Sequence, residues 1–166
     1  MKLLKLQSTL AIAFAVLAVP VGAPLVAKEK SSSVSAAVEV PAPPAGMGQV
    51  VFFRPGSMMG MALGCNVRED GKLIGGLSNG KYFIQSFQSG RHVFTTHSET
   101  TDTLNMEIES GETYYVKCGI GMGMVAGRPN IAPTDNTTFD AKSAKLKLKT
   151  AEQLEKERTK DAAKKK

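Results

Sequence analysis

The stretch Thr103–Glu109, whose sequence is TLNMEIE, alternates apolar and polar residues without interruption. Successive side chains of a β-strand point to opposite faces, so Leu104, Met106 and Ile108 share one face. The residues that follow, 110–112, contain a glycine and are typical of a tight turn. The stretch therefore predicts an antiparallel strand with one buried face.

Short β-rich runs of this kind fill residues 48–132, and they include residues 49–53, 61–68 and 122–125. Two dipeptides of the Asp-Gly and Asn-Gly type, which favour two-residue hairpin turns, separate some of these runs. No helical periodicity interrupts them. The sequence therefore predicts an all-β domain, an antiparallel β-sandwich of about seven or eight short strands, with a small barrel as the alternative.

The first 27 residues predict a secretory signal peptide. Lys2 and Lys5 precede an uncharged run, residues 6–27, with small residues near its end. We expect cleavage after Ala27, with a later site at Ala36 as an option. The run is also about long enough for an uncleaved membrane anchor, but prolines in its second half suit a cleavage region better. This prediction places the protein in the periplasm or outside the cell.

Two segments of different composition flank the predicted β-domain. Residues 28–47 are rich in Ser, Ala, Val and Pro, which predicts a flexible linker. Residues 133–166 predict a short helix over 138–148, for which a strand near its end is the alternative. A solvated, frayed helix is expected to follow, beginning at Thr150 with Gln153 as the partner in a capping box.

The positive charge of the chain is concentrated in its C-terminal tail. Residues 142–166 contain ten Lys or Arg and four Asp or Glu, a balance of +6, whereas residues 28–141 contain nine and eleven, a balance of −2. Such a tail can contact an anionic surface. Few aromatic residues accompany these charges, which argues against binding to nucleic acid.

Cys65 and Cys118 are the two cysteines of the chain. Each lies on a predicted strand at the parity of apolar neighbours, and an oxidising periplasm allows two such residues to pair. Closing about 50 residues stabilises a fold by about 4 kcal/mol in the chain-entropy model. We therefore predict a disulfide, with two buried free thiols as the alternative.

Methionines form two groups, Met58, Met59 and Met61 in one and Met122 and Met124 in the other. Methionine is flexible and apolar, so the two groups can form an adaptable contact patch at one end of the sheet. Thioether groups also bind Cu(I), so a soft-metal site built from Met and Cys is the alternative.

Arg54 and Arg128 each precede a proline. Two arginines at one end of a sheet can hold a carboxylate or a phosphate of a ligand. The plainer interpretation is that each pairs with a local acid or a backbone carbonyl and fixes a turn.

The sequence predicts no catalytic, metal-binding or cofactor-binding residue. His92 and His97 fall on opposite faces of one predicted strand, so they cannot share a metal ion. His97 can share a face with Glu99, but two ligands do not make a zinc site. No set of nucleophile, base and orienting residue can be named.

Five short motifs resemble those of domain-of-unknown-function family 2846, and they occur in the order FRPG at 53–56, NGKYF at 79–83, GRH at 90–92, GETYYV at 111–116 and GRP at 127–129. The resemblance covers roughly residues 48–132. It implies an exported bacterial β-domain of the cell envelope, often similar to a lipoprotein, and it implies no activity. The chain departs from that pattern because it lacks a lipid-attachment cysteine near residue 27 and carries a basic tail.

These observations favour an exported, non-enzymatic module of the cell envelope that binds a protein partner or a surface polymer. A periplasmic copper binder and an enzyme of unassigned class are the alternatives.

Overall fold

The computed structural model describes residues 38–58, 60–124 and 127–165. The predicted signal peptide, most of the predicted linker and Met59 therefore lie outside the described residues. The elements in chain order are β1 (Met47–Arg54), β2 (Cys65–Glu69), β3 (Lys72–Leu77), β4 (Lys81–Gln88), β5 (Gly90–His97), β6 (Thr101–Ile108), β7 (Thr113–Gly121), β8 (Arg128–Thr134), α1 (Asn136–Ser143), β9 (Lys147–Leu148) and α2 (Ala151–Lys164).

Two sheets form a β-sandwich, which confirms the predicted fold class. One sheet has the strand order β8-β7-β1-β4-β9 and the other has the order β3-β2-β5-β6. Most neighbours are antiparallel, as expected, but β1 pairs with β7 in parallel, and β4 pairs with β9 in parallel. The parallel β1–β7 pair places the C-terminal ends of both strands at the same end of the sandwich.

Strand β1 lies at the centre of the five-stranded sheet and is buried on both faces. Its apolar run Val50-Val51-Phe52-Phe53 is fully buried, as expected for a strand covered on both sides. Phe52 packs between the sheets against Phe83, Phe87 and Phe94, with ring centroids 5.1–6.4 Å apart. These aromatic contacts form the centre of the core.

The outer face of the five-stranded sheet carries a second apolar cluster. Phe53 packs there against Phe139 of α1, with ring centroids 5.2 Å apart. Val38 and Val40 pack against the same cluster, and Val38 donates a hydrogen bond to Ser143 Oγ. The C-terminal part of the predicted flexible linker is therefore packed on the domain, because its valines cover apolar groups that the sheet leaves open.

Three predicted elements differ from the structure. Strand β2 begins at Cys65 instead of Met61, because the chain turns at Gly60 with a φ of +65°. Residues 122–124 form no strand, and their loop is tied to a neighbouring turn by Glu99. The predicted helix over 138–148 is divided into α1 and the two-residue strand β9, so both interpretations of that segment are partly correct.

Helix α2 is exposed over most of its surface, as predicted, but it is docked on the domain and continues to Lys164, so the expectation that it is frayed is wrong. The predicted capping box of Thr150 and Gln153 is present. Leu154 is 5% exposed and belongs to the main core. A Cβ added to Gly75 of β3 would lie 2.8 Å from Leu154 Cδ2, so the absence of a side chain at Gly75 makes room for the helix.

Hydrogen bonds from polar side chains of α2, and from Lys149 before it, bind the backbone of the edge strand β3. Glu157 accepts a hydrogen bond from the Gly76 amide at 3.2 Å, and Lys149 donates to the Gly76 carbonyl at 2.7 Å. Arg158 donates to the Ile74 carbonyl at 2.8 Å. These bonds satisfy backbone groups that an edge strand otherwise leaves unpaired.

Cys65 of β2 and Cys118 of β7 form a disulfide, in agreement with the prediction. Their Cα atoms are 6.5 Å apart, within the usual range for a disulfide. Since β2 and β7 belong to different sheets, the bond joins the two layers of the sandwich covalently.

Candidate functional site

The described methionines of the two predicted groups lie on two neighbouring loops at one end of the sandwich. Residues 55–58 and 60–64 follow β1, residues 122–124 and 127 follow β7, and the parallel pairing of these strands makes the two loops neighbours. A Cβ on Gly60 would lie 2.7 Å from Ile120, and one on Gly127 would lie 2.5 Å from Leu63. We call the methionines of these two loops, Met58, Met61, Met122 and Met124, the methionine end.

All four side chains of the methionine end project into solvent. The exposed fractions are 93% for Met58, 63% for Met61, 84% for Met122 and 91% for Met124. Large apolar side chains are seldom left this exposed together in a folded protein without a binding role. Leu148 of β9, at 50%, is the other large apolar residue of comparable exposure in the described part of the chain.

The buried side chain of Arg54 holds the loop that follows β1 in place. Its side chain is 2% exposed and donates to the Gly60 carbonyl at 2.6 Å, to the Leu63 carbonyl and to the Leu77 carbonyl at 3.5 Å. Burial lowers the pKa of the Arg54 guanidinium. No carboxylate of the described residues forms an ion pair with Arg54, so backbone carbonyls alone compensate its charge.

Glu99 holds the second methionine loop. It lies in the turn between β5 and β6, and its carboxylate accepts a hydrogen bond from the Met124 amide at 3.1 Å. The same oxygen faces Arg128 Nε at 3.4 Å. Both arginines thus have partners within the protein: Arg54 donates to backbone carbonyls, and Arg128 lies beside an acid. These contacts match the plainer interpretation, in which each arginine fixes a turn.

A small cavity of about 230 Å³ adjoins the methionine end. Its lining includes Arg54, Ser57 and Lys117, together with Cys118 of the disulfide. A larger open cavity of about 470 Å³ lies at the opposite end of the sandwich, near Tyr114, and none of the predicted contact residues lines it.

The two histidines are separated and individually bonded. His92 Nδ1 lies 2.5 Å from Glu69 Oε1, and His92 Nε2 lies 2.9 Å from the Gln88 carbonyl. His97 Nδ1 lies 2.8 Å from Thr101 Oγ1. Among the residues described, no group of three or more His, Cys, Asp or Glu side chains is arranged to hold a metal ion.

Sequence reasoning missed the bracing role of Glu99 and the presence of Lys117 at the cavity. Glu99 lies 25 residues before Met124, and the sequence pattern relates it only to its neighbour His97. The contact between Glu99 and Met124 arises because the β5–β6 turn lies at the same end of the sandwich as the loop after β7, and no local sequence pattern predicts it.

Within the described ranges, no helix combines the length and apolar character that crossing a membrane requires.

Comparisons with known proteins find one family and one distant relative. The family model described as "Protein of unknown function (DUF2846)" matches residues 44–149, a longer region than the motifs indicated. A Haemophilus influenzae protein named "Uncharacterized protein" is 28% identical over 109 residues, which cover 65% of this chain and 62% of that protein. No solved structure matches the chain. Because the family model spans more than half of the chain, this protein belongs to the family of proteins of unknown function DUF2846.

Proposed function

We propose that this chain is an exported, non-enzymatic module of the cell envelope that binds a protein partner through the methionine end. The observation that carries the proposal is the exposure of four methionines on two adjoining loops. Residues 1–27 support export, since their composition is that of a signal peptide. The disulfide between Cys65 and Cys118 suits an oxidising compartment such as the periplasm.

The physical basis of the proposed binding is burial of apolar surface on a prearranged scaffold. Thioether side chains are polarizable and adopt several rotamers, so they adapt to the shape of a partner. Arg54 and Glu99 fix the backbone of the two loops before binding. A fixed backbone reduces the entropy that is lost when the complex forms. A surface polymer is the alternative occupant of the same end.

Site-specific photocrosslinking in intact cells tests this function. A photoreactive residue replaces Met58 or Met122, and a matched control replaces Glu112, which is exposed in the turn at the opposite end of β1. We expect crosslinks to one or a few envelope proteins from the first two positions and none of these from the control. The same products from Glu112, or no protein product from Met58 and Met122 under several growth conditions, contradict the proposal.

A soft-metal site is a second candidate, favoured by the proximity of the two methionine loops. Both cysteines are occupied by the disulfide, so only thioethers remain as soft ligands. The variant Met122→Leu/Met124→Leu separates the two candidates, because leucine keeps the apolar surface and removes the sulfur. Cu(I) binding tighter than micromolar that this variant loses supports a copper site. Unchanged partner crosslinking in the same variant supports the contact surface.

A further inference from the structure

The outward face of α2 carries lysines that the inward contacts of the helix leave free. Lys156, Lys160 and Lys164 follow one another at intervals of four residues and are all exposed. At 1.5 Å per residue they form a stripe about 12 Å long. Lys142, Lys145 and Lys147, on the segment that leads into α2, are also exposed.

Three of the four acidic residues of α2 are paired with cations, and the fourth, Glu152, is exposed. Glu157 pairs with Lys149, and Asp161 forms two hydrogen bonds with Arg68 of β2. Glu155 lies 3.7 Å from Arg158. Three of the four acids between residues 142 and 166 are therefore paired with cations that do not belong to the stripe.

The stripe is a fixed surface because α2 is fixed. Leu154 anchors the helix in the core, and three hydrogen bonds from α2 and from Lys149, two residues before it, reach β3. Lys156 and Lys160 form no ion pair with any carboxylate that the structure describes. The exposed Glu152 lies at the N-terminal end of the same row, so the row of residues 152, 156, 160 and 164 carries three lysines and one acid, a net charge of +2.

We infer that this lysine face binds the surface of an anionic phospholipid bilayer. The lysines of α2 and of the segment before it are exposed on separate elements, and the densely charged headgroups of a bilayer can meet several of them at once. The segment 142–166 contains no aromatic residue to stack on bases or sugars. The outer positions of α2 are polar or alanine, so the contact is electrostatic adsorption to the headgroups and not insertion.

Vesicle sedimentation tests this inference independently of the methionine end. The protein used begins at Lys28 and so contains every described residue. We expect it to sediment with phosphatidylglycerol vesicles, to remain in solution with phosphatidylcholine vesicles, and to be released at high salt because screening weakens exposed charges.

Two double variants with the same loss of charge sharpen the test. Lys156→Gln/Lys160→Gln removes two charges from the lysine face of α2. The control Arg91→Gln/Lys117→Gln removes two exposed charges from strands β5 and β7. Each lysine near an anionic surface contributes about fivefold in partitioning, so the first variant should bind about 25-fold more weakly. The second should change by less than about threefold, because its charges lie outside the face.

Three results would overturn the inference. One is an absence of sedimentation with phosphatidylglycerol vesicles. Another is an equal loss in both variants, which would mean that net charge alone governs binding. The third is strong binding to a soluble acidic polymer such as heparin with no binding to the bilayer. Far-ultraviolet circular dichroism of both variants confirms that α2 is retained.

Discussion

Replacing Leu154 by alanine tests whether α2 belongs to the folded domain. Leu154 is 5% exposed and packs in the main core beside Gly75 and Phe83. The substitution removes about three buried carbon groups, worth about 0.8 kcal/mol each on transfer to water, and leaves a cavity whose cost is added. We expect the free energy of unfolding to fall by about 3 kcal/mol, a large fraction of the stability of a small domain.

Leu148→Ala is the matched control for this experiment. Leu148 lies on β9, three residues before α2, and is 50% exposed. The same chemical change there removes half as much buried surface and leaves no closed cavity, so we expect a loss below about 1 kcal/mol. Urea unfolding followed by far-ultraviolet circular dichroism, with the disulfide intact, measures the free energy of unfolding of both variants. A loss at Leu154 no larger than at Leu148 would refute a docked α2.

Three further predictions concern other contacts. Gly75→Ala should lower the free energy of unfolding by about 1–3 kcal/mol, measured by urea unfolding, because its Cβ would overlap Leu154; an unchanged midpoint would contradict this. Reduction of the disulfide between Cys65 and Cys118 should lower it by about 4 kcal/mol, since the bond closes a loop of 53 residues; equal curves with and without reductant would count against the bond. The hydrogen bond and ion pair with Arg68 lower the pKa of Asp161, so their stabilisation is present above about pH 4 and is lost as pH falls through the lowered pKa. Thermal midpoints between pH 2 and 5 should therefore fall more steeply in the parent chain than in Asp161→Asn, and parallel curves would be the contrary result.

Local alternation predicts most of the strands and the buried positions of the two cysteines, but not the ends of every strand. The stretch 103–109 forms β6 almost as predicted, because one of its faces is partly to fully buried and the other is exposed, which is the condition that period-two patterns report. Cys65 and Cys118 were assigned by parity to buried positions, and the structure buries both. Burial of each residue depends on its near neighbours and can be predicted locally, whereas the pairing across 53 residues also needed the expectation of an oxidising compartment.

The docking of α2 depends on contacts across more than 70 residues, and the sequence therefore did not show it. The helix buries one leucine, too few apolar residues for an amphipathic pattern. Its remaining contacts are hydrogen bonds to the backbone of β3, such as Glu157 to the Gly76 amide. Backbone groups carry no signature in the sequence, so nothing marks β3 as the partner of these charged residues.

The two loops of the methionine end are neighbours because β1 and β7 pair in parallel. No turn signal predicts this pairing, since the two strands lie about 60 residues apart. Arg54 at the end of β1 is the residue that connects this topology to the exposed loop. A planar guanidinium offers five N–H groups in fixed directions, so it can bond carbonyls from separate points of the chain at once, here Gly60, Leu63 and Leu77. Lysine has a single nitrogen and cannot span them. The cost of burying the charge is offset by these bonds only when the loop keeps its shape, so the same residue that stabilises the fold also fixes the backbone beneath Met58 and Met61.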